Sequence, residues 1–460
     1  MNWLSRILTP SVPLPEERRM ISDTFLREMI IPLFIEQLLI MVVGLADTMM
    51  VSHAGEAVVS GVSLDTMIYT IFLYIFGAIA SGGAVVVSQY LGNRSEEDAA
   101  KAAGRMLSVG IIASILCTAL MLAFYKPLLA FLYPDVEPAV MEAAIIYLRI
   151  VILSFPANAI YNAGAALCRS LGKTRLTMEV SLAMNLVNVA GNAIGIFVLH
   201  AGAAGVAWPT TLSWYFAAVV MTAICASPRQ SVRFHAGTVV RPDRVMDGRI
   251  LRIAVPNALE NGLFQLSKVV LGSLIATFGT SQIAANGIGQ TIWSLAATVM
   301  VALSPVFITV IGQCMGAGDA EAAEYYMRKL IRIGILASTV WNILVLLFLP
   351  AILPLYAVSE ETKRLIVIIV ILHNIFCALV STMSGPLSAG LRAAGDVRFT
   401  LFASIFSTVI CRVALSFLFC LVFRMGVIGI TVAMVLDWCI RAFLQMKRLS
   451  GGKWKTQKVI

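Results

Sequence analysis

Long apolar runs recur along the whole chain and constrain its fold more than any other feature. A helix needs about 20 residues to cross the hydrocarbon core of a bilayer, and the runs have this length. They are continuous rather than alternating, which favours helices, because a helix satisfies its own backbone hydrogen bonds in lipid. The sequence therefore predicts an all-α integral membrane protein with twelve transmembrane helices, at residues 29–51, 58–88, 103–124, 139–167, 176–199, 203–226, 251–277, 283–312, 330–356, 363–390, 398–422 and 426–445.

The composition agrees with a membrane protein. Of the 460 residues, 59% are hydrophobic and 13% are charged, whereas a soluble domain has about 25% charged residues. The first apolar run contains Glu36 and Asp47 and precedes many similar runs, so it does not resemble a cleavable signal peptide. The expected surroundings of the chain are a lipid bilayer.

Basic residues alternate between the connections and predict the orientation of the chain. Clusters such as Arg94, Lys101 and Arg105 follow the even-numbered spans, and the C-terminus ends in MKRLSGGKWKTQKVI. Because cytoplasmic connections are rich in Lys and Arg, we expect a multi-pass protein of the plasma membrane with both termini in the cytoplasm. This distribution also accounts for the net charge of +9, so no nucleic-acid partner is expected.

The two halves of the chain repeat each other. PLFIE at 32–36 matches PNALE at 256–260, Arg169 matches Arg392, and Gly202 matches Gly426 at a nearly constant spacing. Six spans per half is an even number, which predicts two parallel six-helix lobes, a common plan among transporters. The expected organisation is a cytoplasmic N-terminal segment, an N-lobe, a cytoplasmic linker, a C-lobe and a basic tail, at residues 1–28, 29–226, 227–250, 251–445 and 446–460.

Motifs for other chemistry are missing from the sequence. It has no phosphate-binding G-x-x-x-x-G-K-[ST] loop and no complete dinucleotide fingerprint. The eight cysteines form no C-x-x-C pair, and the four histidines are scattered. We therefore expect an ion-driven carrier rather than an enzyme or a nucleotide-driven pump, with no cofactor.

Several motifs resemble the multidrug and toxic compound extrusion family along the whole chain. They are P-x-x-x-E followed by DTMMVSHAG, then SQYLGNRSEEDA, CRSLGKTRLTM, NLVNVAGNAIG and LRAAGDVRFT. The resemblance implies a V-shaped, monomeric transporter with two lobes and a central cavity. It also implies antiport of organic cations and other amphipathic compounds against H⁺ or Na⁺. The branch that it resembles most is that of the DNA-damage-inducible exporters.

Asp47 is a lone carboxylate at the end of an apolar run. An Asp at the centre of a membrane helix costs about 2.5–3.5 kcal/mol to insert, and such residues mark ion or substrate paths. Asn185, Asn188 and Asn192 share one helical face, and Thr210 lies in the next span. Carboxylate, amide and hydroxyl oxygens suit a hard cation, and a desolvated acid suits a proton. The alternatives are a solvated Asp47 near His53, and asparagines that only join helices by hydrogen bonds.

The family resemblance implies a cation site at Asp47, Asn188, Asn192 and Thr210. Members that bind Na⁺ often have Asp at the position of Asn192, so one negative charge is missing here. H⁺ coupling is therefore at least as well supported as Na⁺ coupling. No metal other than Na⁺ at these four residues is expected. Pro32 lies in a helix that bends in the family, although prolines are common in membrane helices.

Five further polar residues lie within the predicted spans and are candidate site residues. They are Glu36, Glu260, Lys268, His373 and Arg412. Glu260 and Lys268 could instead form an ion pair with each other, and His373 could be purely structural. The expected function is multidrug antiport. The alternatives are a flippase for a lipid-linked oligosaccharide and a membrane scaffold or channel that transports nothing.

Overall fold

The computed structural model describes residues 14–356 and 358–460. Residues 1–13 of the predicted N-terminal segment therefore lie outside the described residues. Within the described ranges the chain is helical and contains no strand, as predicted. In the first half the helices are α1 Asp23–Ser52, α2 Glu56–Gly92, α3 Glu96–Leu132, α4 Pro138–Val151, α5 Phe155–Ser170, α6 Thr174–Ala193, α7 Gly202–Ala226 and α8 Ala236–Val240.

The second half has a similar succession of helices. They are α9 Arg244–Ala276, α10 Thr280–Ala296, α11 Thr298–Gly316, α12 Ala320–Ile352, α13 Glu360–Ser384, α14 Pro386–Ala393, α15 Val397–Ile405, α16 Val413–Phe417 and α17 Val427–Ser450. A 3₁₀ turn at Ile152–Ser154 joins α4 to α5, and a π-helical segment at Phe406–Arg412 joins α15 to α16. These connected pairs therefore act as single spans.

Eleven stretches of the described residues are long and apolar enough to cross a membrane. The predicted span 251–277 is not among them, although α9 has 33 residues. Glu260, Gln265 and Lys268 lower the mean hydropathy of this helix. We count α9 as the twelfth span, since it occupies the place of α1 in the repeat. The predicted span 283–312 is divided between α10 and α11. The chain turns at Ala297 between α10 and α11, where the Thr298 hydroxyl donates to the carbonyl of Leu295 at 2.8 Å.

The chain forms two compact units. The first unit is Ile31–Ala258, and the second unit is Leu259–Ile460 with the described part of Met1–Ile30. The boundaries therefore fall inside α1 and α9, beside Pro32 and Pro256. The predicted lobes begin and end at the ends of spans instead. The predicted lobes and the observed units therefore differ in where they place the N-terminal segment and the linker.

The N-terminal segment is held within the second unit by ion pairs. Arg18 contacts Asp319 at 2.9 Å and Glu321 at 3.0 Å, and Lys329 donates to Asp23. The hydroxyl of Tyr326 donates to the carbonyl of Ile21 at 2.7 Å. Residues close to the start of the chain thus pack against the start of α12.

The backbone repeats between the two halves as well as the sequence. Positive φ angles are rare for residues with a side chain, yet they occur at matching turns in both halves. A π-helical turn also follows at matching positions, Ile194–Val198 and Leu418–Val422. This agreement supports the predicted pseudo-repeat of six plus six spans. The matching residues are Gly55 (108°) with Gly279 (92°), Arg94 (57°) with Gly318 (76°), Gly172 (75°) with Gly395 (94°), His200 (49°) with Arg424 (55°), and Gly202 (54°) with Gly426 (57°).

Candidate functional site

Close backbone packing brings the polar face of α6 against α7. A Cβ atom built on Gly195 would lie 2.1 Å from the carbonyl oxygen of Gly205, and one built on Gly191 would lie 2.7 Å from Cβ of Pro209. Only glycine allows these approaches, as is usual where membrane helices pack tightly. The asparagines of α6 therefore lie beside Thr210 of α7.

Four predicted residues form one hydrogen-bonded group, here called the Asp47 cluster. The amide nitrogen of Asn192, a fully buried residue, donates to the carboxylate of Asp47 and to Oδ1 of Asn188, the latter at 3.3 Å. The amide nitrogen of Asn188 donates to the hydroxyl of Thr210 at 3.2 Å. The cluster of Asp47, Asn188, Asn192 and Thr210 thus joins α1, α6 and α7 within the first unit.

The Asp47 cluster is rich in oxygen atoms that can accept a cation. Oδ1 of Asn192 is buried and has no hydrogen-bond partner among the described residues. It lies in the same amide group that donates to Asp47, so rotation of this amide would turn Oδ1 toward the carboxylate, where both oxygens could contact one cation. Carboxylate, amide and hydroxyl oxygens are the donors that hard cations prefer. The described residues contain no cluster of three His, Cys, Asp or Glu side chains that would favour another metal.

Other polar residues lie at the edges of the Asp47 cluster. Asn185 shares the helix face, but its buried amide nitrogen has no hydrogen-bond partner among the described residues. Nδ1 of His53 lies 2.9 Å from the carbonyl oxygen of Met49, so this ring is engaged by its own helix. Sequence reasoning missed Tyr147, a buried residue near Thr210. No sequence feature of its helix, α4, indicates a functional role for this tyrosine.

Glu36 and Glu260 form the same ion pair in the two halves. Glu36 is buried and accepts from Arg169 at 2.9 Å and from Thr177 at 3.2 Å. Glu260 accepts from Arg392 at 2.9 Å and from Ser404 at 2.6 Å. The alternative of a Glu260–Lys268 pair is therefore wrong, because Arg392 is the partner. The two glutamates occupy matching positions in the sequence repeat, and so do the two arginines. This joint match is the sequence signal that could have predicted both ion pairs.

The remaining candidates lie in the second unit, whereas the residues of the Asp47 cluster lie in the first. Arg412 is buried and pairs with Asp437 at 2.5 Å. The ammonium of Lys268 lies 4.9 Å from the ring centroid of Phe264. His373 is buried, packs against Trp438 with ring centroids 5.7 Å apart, and makes no ring hydrogen bond among the described residues.

Pro32 lies in the interior of α1, and the helix continues through it from Asp23 to Ser52. A proline has no backbone N–H, so one hydrogen bond of the helix is lost at this point. The carboxylate of Asp47 is on the same helix, fifteen residues later. Any change in the course of α1 at Pro32 therefore acts on the helix that carries Asp47.

These features define a multi-pass helical membrane protein with two similar halves and a buried polar cluster in the first. The MatE family model matches residues 32–194 and 255–418, one segment in each half. The chain belongs to this family. Its assignment to the DNA-damage-inducible branch stays a prediction.

Known proteins resemble the chain over nearly its full length. The uncharacterized transporter YisQ of Bacillus subtilis is 28% identical, with 92% of this chain and 93% of that protein covered. The probable multidrug resistance protein NorM of Thermotoga maritima is 24% identical, with 98% and 96% covered. A solved outward-facing multidrug resistance MATE transporter has a TM-score of 0.86 at 20% identity and covers 93% of this chain and 96% of its own. The last similarity concerns the fold alone.

Proposed function

We propose that this protein is a secondary antiporter that exports organic cations or other amphipathic compounds in exchange for H⁺ or Na⁺. Membership of the MatE family and the multidrug resistance relatives support efflux. We also propose that it acts as a monomer in the plasma membrane with both termini in the cytoplasm. The alternation of basic residues supports this orientation.

The observation that carries the proposal is the contact between Asn192 and Asp47. It places a carboxylate of one apolar helix against a fully buried amide of another. An ion-driven carrier needs a site that the ion and the substrate cannot occupy independently, since independent binding would leave their fluxes uncoupled. One carboxylate that neutralises either a coupling ion or a cationic substrate meets this requirement.

The amide of Asn192 can serve both protonation states of Asp47. When Asp47 is ionised it accepts a hydrogen bond from the amide nitrogen, as in the structure. When it is protonated it becomes a donor, and Oδ1 of Asn192, which has no partner among the described residues, can accept this hydrogen bond once the amide group rotates. The amide therefore keeps α1 and α6 connected while the charge changes. This argument favours H⁺ as the coupling ion.

The experiment is gradient-driven efflux of a cationic dye from proteoliposomes that contain the Asp47→Asn variant. Asparagine has nearly the size of aspartate but carries no charge, so it resembles a permanently protonated acid. We expect the protein to insert normally, to lose gradient-driven efflux, and to show substrate binding that no longer depends on pH.

The matched control is Asp135→Asn, which makes the same chemical change at an exposed position of the connection before α4. This control should transport like the unmodified protein. Full efflux by Asp47→Asn would refute a coupling role for the carboxylate. Imposing an H⁺ gradient and a Na⁺ gradient separately identifies the coupling ion.

A further inference from the structure

A pocket lies in the second unit, and none of its residues belongs to the Asp47 cluster. It has a volume of 310 Å³, which is at the lower end of the range for small-molecule sites, about 300–1,000 Å³. Its walls come from α9, α10, α17 and the π-helical segment Phe406–Arg412. Apolar side chains form one part of the wall, among them Leu271, Ile275, Ile430 and Met434.

Two cationic side chains line this pocket, and both lie against the same aromatic ring. The ammonium of Lys268 lies 4.9 Å from the ring centroid of Phe264, and the guanidinium of Arg412 lies 5.1 Å from it. Cation–π contacts of this kind are attractive, but they do not neutralise a charge. No carboxylate is among the residues that line the pocket.

The two carboxylates near the pocket, Asp437 and Glu260, already pair with arginines. Asp437 pairs with Arg412 at 2.5 Å and with Arg441 at 3.6 Å. Glu260 pairs with Arg392 at 2.9 Å and lies 3.9 Å from Arg441. Lys268 forms no ion pair with any described residue, so this region carries an excess of positive charge. Within a membrane segment an unpaired charge is costly, and an anion bound beside Lys268 would offset that cost.

Among the residues that line the pocket, the buried polar atoms without a hydrogen-bond partner are donors. Nε1 of Trp293 and Nε of Arg412 are both buried and have no hydrogen-bond partner among the described residues. Lysine, arginine and tryptophan side chains can donate but cannot accept. A ligand that satisfies them must therefore bring acceptors, and the apolar wall requires that it also has an apolar body.

We propose that this pocket binds the anionic group of an amphipathic ligand, with Lys268, Arg412 and Trp293 as the donors. A carboxylate, sulfonate or phosphate fits this description, since ionised acceptors make the strongest hydrogen bonds to cationic donors. The proposal concerns binding alone, and it names a class of ligand other than organic cations. It is independent of the coupling role of Asp47.

The test is a fluorescence titration of the purified protein with three dyes that share one fluorophore: dansylglycine, dansylamide and dansylcholine. They carry a carboxylate, no charge and a quaternary ammonium group, respectively. We expect the unmodified protein to bind dansylglycine more tightly than dansylamide, whereas dansylcholine is a cation that the Asp47 cluster can bind independently of this pocket. Equal affinities for dansylglycine and dansylamide would overturn the proposal without any need for a variant.

The variant that tests the site is Lys268→Met, which keeps much of the apolar stem and removes the charge. Its affinity for dansylglycine should fall about tenfold, the usual scale for one charge-assisted hydrogen bond, while that for dansylamide stays the same. Lys363→Met, at the start of α13 and outside the pocket, is the matched control and should bind all three dyes normally. An unchanged affinity of Lys268→Met for dansylglycine, or an equal loss for dansylamide, would contradict the assignment.

The source of the anion can be identified with the same dye. In nanodiscs of phosphatidylcholine, dansylglycine should bind as it does in detergent. If phosphatidylglycerol added to the discs displaces it, the natural ligand includes a lipid headgroup. If the dye remains bound, the site serves a soluble anionic compound. Because the readout is direct binding, a negative result here leaves the efflux experiment on Asp47 unaffected.

Discussion

Glu36 and Arg169 form an ion pair at 2.9 Å, although 133 residues separate them in the sequence. Glu260 and Arg392 repeat it in the second half at the same distance, across 132 residues. A pair that recurs in both halves connects each first helix to a later helix of the same half. We therefore interpret it as structural, whereas the Asp47 cluster is present in the first half only.

Replacing Glu36 by Gln should destabilise the protein. The change leaves the Arg169 guanidinium without its partner carboxylate in a largely buried place, and breaking a buried ion pair costs about 3 kcal/mol or more. The apparent denaturation temperature in detergent should fall accordingly. The double variant Glu36→Gln with Arg169→Gln should recover part of the loss, because no charge is left unpaired. A stable Glu36→Gln protein that has lost efflux would instead assign Glu36 to the coupling site.

The asparagines of α6 provide an internal comparison. Asn188→Ala removes the hydrogen bond to Thr210 and one oxygen of the Asp47 cluster. We expect weaker coupling, measured as a smaller stimulation of dye efflux by the ion gradient, with normal protein levels. Asn185→Ala is the matched control, since Asn185 lies one turn earlier on the same face and makes no bond to the cluster. Equal effects of the two variants would mean that the asparagines act only in packing.

Asp319 should contribute to stability through its charge, and this contribution should depend on pH. Burial alone would raise the pKa of Asp319, but the hydrogen bonds from the Ala322 N–H and the Arg18 guanidinium outweigh it and hold the pKa below its ordinary value. A lowered folded-state pKa stabilises the folded protein above the unfolded-state pKa of about 4. The stabilisation is lost as the pH falls through the folded-state value.

The variant Asp319→Asn tests this charge, because asparagine still caps the helix. It should be less stable at pH 7 by about 1 kcal/mol at most, since Arg18 is half exposed and solvent screens the pair. The difference from the unmodified protein should shrink as the pH falls below the unfolded-state pKa of about 4. Thermal unfolding in detergent at a series of pH values measures it. A difference that does not change with pH would point to packing rather than charge.

Cysteine labelling tests the proposed orientation of the linker. Ser231 is exposed in the linker, and Asp135 is exposed in the opposite set of connections. A membrane-impermeant maleimide added to intact cells should label the Asp135→Cys variant and not the Ser231→Cys variant. Both should react in opened membranes. Labelling of Ser231→Cys in intact cells would reverse the assigned topology.

The sequence was sufficient for the helical fold and for the members of the Asp47 cluster. Asn188 and Asn192 are separated by one helical turn, so their common face follows from helix geometry. The resemblance added Asp47 and Thr210 as neighbours, which helix geometry alone does not supply. The hydrogen bonds of the structure now connect all four residues, while their role in coupling stays a prediction.

The environment of Glu260 could not be derived in the same way. Lys268 is two turns away on the same helix and seemed the natural partner by spacing, but helix spacing describes only contacts within one helix. The actual partner, Arg392, comes from α14 and depends on how the helices of the second unit pack. The same limit applies to Arg412 and Phe264, whose contact joins the π-helical segment to α9.

The contacts of Arg18 have a consequence for the order in which the protein is made. Its partner Asp319 follows 301 residues later, and ribosomes add about 5–20 residues per second. The beginning of α1 therefore leaves the ribosome at least about 15 s before its binding surface exists. Until α12 is synthesised, the N-terminal segment cannot form these contacts. A nascent chain that stops in the linker would display this segment without a partner, which offers a quality-control system a way to recognise half-made molecules.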